Sequence, residues 1–259
     1  WESMERDGYE SDQARLFIAD VATGKRTNLF ENFEESAASI TWNKDGKTIY
    51  FISDIQGTDE IFSVSITSKE IKRLTSGIHN YKSIQFAGES LLARKHSMSQ
   101  PDELYLVTIP SGIDQPLTQV TQPIMTQLKM GKVEKRWMRT TDGKDMLVWL
   151  IFPPDFDPQK KYPALLYCEG GPQSTVSQFW SYRWNFQMMA ANDYIIVAPN
   201  RRGLPGFGKE WLEQISKDYG GQNIQDYLTA IDEAAKEPYI DSNKLGCVGA
   251  SYGGFSVYY

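Results

Sequence analysis

The run Gly249-Ala250-Ser251-Tyr252-Gly253-Gly254 carries the residue types that a serine nucleophile needs. A G-x-S-x-G pattern suits a sharp strand-to-helix turn that lifts the serine oxygen above a sheet edge. Side chains at the flanking glycines would collide with the neighbouring strand and helix. The strand-like run Lys244 to Gly249 comes just before, and a helix-opening position comes just after. The letters alone are weak, because a Gly/Ser-rich turn without chemistry shows the same pattern.

A serine that attacks a carbonyl needs donors for the negative charge that grows on its oxygen. The N–H of Tyr252, the next residue, is one candidate. Glu169-Gly170-Gly171-Pro172 follows the apolar run Leu165 to Cys168 and offers Gly170 or Gly171 as the second. A plain strand-ending turn has the same composition. Asn200-Arg201-Arg202-Gly203, followed by Gly206-Phe207-Gly208, places an Arg pair in a Gly-rich loop. Arg202 is therefore a candidate for binding a substrate carboxylate or carbonyl. The preferred alternative ties that loop down by salt bridges to acids such as Asp218 or Asp226. The acidic run Glu31, Glu34, Glu35 either faces a substrate amine or lies on a solvated loop.

The nucleophile also needs a base, nearly always His oriented by Asp or Glu. On this fold the order is Ser, then Asp, then His. Only eight residues follow Ser251, and none is Asp or His. The two histidines, His79 and His96, read as loop residues of the first half. The base is therefore expected outside this sequence. Trp1 at the start, and Tyr259 just past the serine motif, read as the ends of a cut chain.

The elements that must position these residues fall into two kinds. In the first half Leu16-Phe17-Ile18-Ala19-Asp20 matches Ile61-Phe62-Ser63-Val64 and then Leu104-Tyr105-Leu106-Val107, at offsets of 45 and 43 residues. Leu29, Leu74-Thr75 and Leu117-Thr118 keep the same register. A drifting period of about 40–45 residues with short alternating strands is that of propeller blades. Asp45-Gly46 is a hairpin turn between strands rich in β-branched and aromatic residues. About three repeats are present where a closed propeller has about 4–8 blades, so further blades are expected upstream. The Gln/Thr/Pro stretch from Thr121 to Lys132 reads as a junction.

Beyond it, Val133–Met138 and Met146–Phe152 flank an Asp142-Gly143 hairpin turn. Buried strands follow at Ala164–Cys168 and Tyr194–Ala198, with a helix over about Phe179–Ala191. Ile224, Tyr227, Leu228, Ile231, Ala234 and Ala235 lie on one helical face. Strands alternating with helices predict an α/β fold with a mostly parallel sheet.

Acidic residues outnumber basic ones 33 to 27 and no basic run occurs, which argues against nucleic acid as a partner. The longest apolar run, Met146 to Phe152, is far short of a membrane span. Cys168 and Cys247 each sit in an apolar run and read as small buried hydrophobes, not as a disulfide framework.

Taken in order, Trp42-Asn43-Lys44-Asp45-Gly46-Lys47, Glu169-Gly170-Gly171-Pro172, Asn200-Arg201-Arg202-Gly203, Asp218-Tyr219-Gly220-Gly221 and the Ser251 motif resemble the prolyl oligopeptidase family of serine peptidases. The resemblance is closest to its acylaminoacyl-peptidase and dipeptidyl-peptidase V branch and runs from about Ala14 onward. It implies the last blades of an all-β propeller over residues 1–124 and the first part of an α/β-hydrolase domain over residues 125–259. It also implies Ser251 as nucleophile, Tyr252 and the Gly170-Gly171 turn as oxyanion donors, and short peptides as substrates, cut near the N-terminus. Glu169 departs from the pattern, since much of this branch has His there. No metal or organic cofactor is implied. The family is often exported in bacteria, so a periplasmic or secreted location is suggested beside a cytoplasmic one, and a homodimer is the one protein partner allowed for. An esterase on the same fold is the first alternative. A propeller-based binding protein with an inactive hydrolase half is the second.

Overall fold

Turn chemistry decides where the first half reverses. Gly46 takes φ +62°, a region that costs glycine little, and the Asp45 carboxylate collects the N–H groups of Lys47 and Thr48 at 2.7 and 3.0 Å. The computed structural model describes residues 1–259. Strands β1 (Glu2–Ser3), β2 (Arg15–Ala19) and β3 (Arg26–Asn28) form a three-stranded sheet. An antiparallel meander follows: β4 (Ala38–Trp42), β5 (Thr48–Ile55), β6 (Thr58–Ser65) and β7 (Ile71–Arg73). A second consists of β8 (Asn80–Ala87), β9 (Ser90–Ser97), β10 (Gln100–Thr108) and β11 (Asp114–Pro116). One parallel bridge, Asp59 to Asn80, joins the two.

The sequence period is a hydrogen-bond period. The N–H groups of Leu29, Leu74 and Leu117 donate to the carbonyls of Leu16, Ile61 and Leu104, each at 2.8 Å. In the last two units a threonine completes the pattern. Thr75 Oγ1 accepts from Ile61 N–H and donates to the Glu60 carboxylate, and Thr118 does the same for Leu104 and Glu103. Alternate residues of β5 enter different cores. Ile49 and Phe51 pack with Leu16, Leu29, Phe30 and Phe62, whereas Tyr50 and Ile52 pack with Tyr81, Ile84 and Leu91. Both faces of this strand are buried, as stacked sheets require. His96, expected on a loop, lies inside β9, buried, with Nδ1 2.9 Å from Asp102.

After α1 (Gln122–Met125) come β12 (Val133–Arg139), β13 (Asp145–Ile151), β14 (Tyr162–Cys168), α2 (Phe186–Ala190), β15 (Ile195–Pro199), α3 (Lys209–Glu213), α4 (Gln222–Ala234), β16 (Ile240–Gly249) and α5 (Tyr252–Tyr258). The sheet order is β12-β13-β15-β14-β16. Met146, Val148 and Leu150 pack in one core with Ile224, Tyr227, Ala230 and Ile231 of α4. Leu147, Trp149 and Ile151 pack on the other face with Phe186 and Ala190 of α2. No helix is long and apolar enough to cross a membrane.

Four expectations for the second half change. The sheet is mixed, not mostly parallel: β12–β13 and β13–β15 pair antiparallel, and only β14–β15 and β14–β16 are parallel. The Asp142-Gly143 hairpin reverses β13, and that direction persists against β15. The helix expected from Phe179 starts only at Phe186. Ser181 Oγ accepts the N–H groups of Arg183 and Trp184, a local bond that competes with helix, and Asn185 then caps α2 by accepting Met188 N–H at 2.9 Å. Leu228 points away from the α4 core and is exposed. Cys247 on β16 is exposed too, while Cys168 is buried in β14.

Candidate active site

Strands β14 and β16 run parallel as neighbours, with Cys168 opposite Gly249 at their carboxyl ends. From β14 the chain leaves for β15 on one side, while β16 lies on the other. Such a switch in direction opens a crevice beyond the strand ends, the usual ligand position in open α/β sheets. Both serine-motif and Gly-turn residues emerge there. Ser251 caps α5 with φ 56° and ψ −125°, and it is exposed. A non-glycine residue at positive φ is strained. The room for it comes from glycine: a Cβ on Gly249 would lie 2.8 Å from the Cys168 carbonyl oxygen. A Cβ on Gly170 would stand 3.7 Å from that of Ser251, so the Gly turn lies beside the serine.

The two expected donor groups differ in availability. Tyr252 opens α5, where the first N–H groups have no intrahelical partner. The Gly170 N–H is already engaged, donating to Glu169 Oε1 at 3.1 Å. Gly171 follows at φ +110° on the exposed side of the turn. Burial pushes the Glu169 carboxyl up to about 7, against the hydrogen bonds from Tyr167 and Gly170 and the nearby Arg201 charge.

Arg202 does not serve as a substrate clamp. Its guanidinium bonds Asp226, Asp142, Thr140 and Gln214, and only 3% of the side chain is exposed. A substrate carboxylate would have to displace a buried Asp, so the arginine ties the loop to α4 and to the β12–β13 turn. Hydrogen bonds from Arg202 hold the Asp142 carboxyl well below the usual range. The acidic run behaves in the same way. Glu35 accepts the N–H groups of Gly206 and Gly208 at 3.1 and 2.7 Å, Glu31 pairs with Lys69, and Glu34 is exposed. His79 approaches Glu60 and His96 approaches Asp102, and neither bonds Ser251.

Sequence reasoning missed a cavity of about 380 Å³ where the repeats meet the α/β part, lined by Asp12, Glu35, Asp54, Asp59, Lys82 and Gln173 among others. Gln173 belongs to the loop that follows Gly171-Pro172. Asp54 and Asp59 sit directly opposite each other on β5 and β6. Burial and the Asp59 charge raise the Asp54 carboxyl well above its ordinary value, and burial lifts Asp59 to about 6 against the pull of Lys82. A like-charge pair facing across strands is unfavourable unless a cation joins it. No group of three or more His, Cys, Asp or Glu side chains is placed to hold a metal ion.

Residues 180–259 match the sequence profile of the prolyl oligopeptidase family. Dipeptidyl-peptidase 5 of Porphyromonas gingivalis is 52% identical over the whole of this chain, and that of Porphyromonas endodontalis 53%. Residues 180–259 of this chain thus belong to the prolyl oligopeptidase family. The chain spans 38% of the length of those two curated relatives. Among solved structures, an acylaminoacyl peptidase of Pyrococcus horikoshii superposes with a TM-score of 0.86 at 24% identity, over 99% of this chain and 39% of that one. The likeness of fold to that peptidase thus extends over the repeats as well as the mixed sheet.

Proposed function

We propose that the full-length protein is a serine peptidase that releases short peptides from the N-terminus of its substrates, of the dipeptidyl-peptidase type. In this reading residues 1–124 are blades of a propeller, and residues 125–259 begin an α/β-hydrolase domain. The observation that carries it is the placement of Ser251: strained, exposed, and beside a Gly turn at the crevice between β14 and β16. Ser251 Oγ attacks the scissile carbonyl, its proton passes to a His outside this chain, and an acyl-enzyme forms that water then cleaves. Tyr252 N–H and the Gly170-Gly171 turn receive the oxyanion, with Gly171 the freer donor of the two glycines. No metal or organic cofactor enters the reaction.

The Asp54–Asp59 pair supports a free amino terminus over a blocked one. A substrate ammonium in that cavity would add to the Lys82 charge in offsetting the two carboxyl groups, and a neutral acylated terminus would not. The same feature weighs against an esterase, whose substrates need no cation there.

The test uses the full-length protein with a fluorophosphonate probe and a dipeptidyl substrate. Probe attachment at Ser251, with Ser251→Ala abolishing turnover at an unchanged Tm, is the expected result. Substantial turnover by Ser251→Ala sinks the assignment. Faster turnover of simple acyl esters than of peptides would favour the esterase.

A further inference from the structure

The two adjacent arginines after β15 have opposite surroundings. Arg202 faces two aspartates. Arg201 is 0% exposed yet forms no salt bridge. A buried guanidinium without a carboxylate partner costs several kcal/mol unless other contacts offset it. Its Nε–H donates to Tyr227 Oη at 3.2 Å and Nη1 donates to the Arg202 carbonyl at 2.7 Å. The charge lies 4.7 Å from the centre of the Tyr252 ring and 5.6 Å from that of Tyr227. Nη2 has no partner, and Glu169 Oε2 is likewise buried without one.

Tyr227 passes the interaction on. Its hydroxyl accepts from Arg201 and donates to the Glu169 carbonyl oxygen at 3.3 Å. The other end of the same peptide unit, Gly170 N–H, is held by the Glu169 carboxylate. The Glu169–Gly170 peptide is thus fixed at both its carbonyl and its N–H. The Gly171 N–H, one peptide further on, takes its direction from that plane. Arg201 also lies against the ring of Tyr252, the residue that carries the other donor.

We propose that Arg201 is a positioning residue that, through Tyr227, holds the Glu169–Gly170 peptide and so aims the Gly turn at the oxyanion formed on Ser251. The proposal rests on the serine-peptidase reading above. Arg201 touches neither substrate nor nucleophile in it; it keeps two donor-bearing segments in register. Loss of a whole oxyanion donor costs about 10²–10³ in kcat, and a misdirected donor costs part of that.

The experiment compares Tyr227→Phe, Arg201→Met and the double variant with wild type in the full-length protein, measuring kcat, KM and Tm. Each single variant is expected to lower kcat about tenfold with KM within about twofold. The double variant should be no slower than Arg201→Met alone, because both changes break one clamp. Tyr227→Phe keeps the shape of the core and so decides the matter even if Arg201→Met does not fold. A wild-type kcat in Tyr227→Phe, or losses that multiply in the double variant, overturns the clamp. Fluorophosphonate labelling of wild type separates the two readings. Without attachment at Ser251 both fall; with attachment and an unaffected Tyr227→Phe, only the clamp falls.

Discussion

Asp54 and Asp59 are held opposite each other by the β5–β6 register, on one face of the sheet. The folded state therefore disfavours the ionised form of Asp59, whose carboxyl is lifted by burial to about 6. For an acid raised in this way the stability cost builds as pH rises from the unfolded value near 4 and is complete above about 6. Asp59→Asn should accordingly raise Tm at pH 8 in the full-length protein. The same change should raise KM for free-amine peptides several-fold while leaving kcat close to wild type, and the wild-type KM should itself rise as pH falls below about 6. A KM unaffected by both pH and substitution would remove the amine from this cavity. These carboxylates were not legible in the sequence because their meaning comes from a cross-strand partner and a loop more than a hundred residues on. Arg201 and Arg202 show the same limit. Side by side they look alike, and only the fold gives one of them two aspartates and the other none.

Among the elements, the repeats were legible because their markers are the residues that close each unit. Leu29, Leu74 and Leu117 recur since each N–H returns to the equivalent strand at the same point. The threonine beside the second and third markers has a heavier task, because it satisfies a carboxylate. Glu60 is 0% exposed and depends on Thr75 Oγ1 and Gly77 N–H, with Arg73 alongside. Thr75→Val keeps the shape and removes the donor, so it should destabilise the protein by about 1–3 kcal/mol, read by urea unfolding. A loss below about 0.5 kcal/mol would mean that Glu60 finds another partner. The strand–serine–helix order around Ser251 was legible for a related reason, since glycines there are demanded by backbone approach and appear as letters. The helix expected from Phe179 was not, because Ser181 diverts the backbone through side-chain bonds that no hydrophobic period records. The exposure of Cys247 was hidden as well. An apolar run says strand but does not say which of its residues a neighbouring element covers.

Over the whole molecule, the many contacts that join the repeats to the mixed sheet include two made at small residues, Asn80 and Gly206. Asn80, fully buried, accepts from Asp59 N–H and Gln178 N–H and donates to Ser177 Oγ. Gly206 accepts from Gln56 N–H, donates to Glu35, and sits at φ +89° against the Asp54 carboxylate. Gly206→Ala should therefore cost about 1–3 kcal/mol, from the positive φ and the lost clearance, and should speed proteolysis between the two parts. An unchanged Tm and cleavage pattern would show that this loop is not what couples them. The hydrogen bonds that close each repeat also bear on the order of assembly. They join residues about thirteen positions apart, whereas Ala164 of β14 meets its β16 partner Leu245 only across roughly eighty. Bringing the ends of the longer loop together costs about 1.6 kcal/mol more, and contacts so distant in sequence form slowly. Each meander can zip up as soon as its own strands exist, while the β14–β16 crevice must wait for a late, long-range meeting of strands. The candidate active site is thus built from a pairing that closes after the meanders have formed.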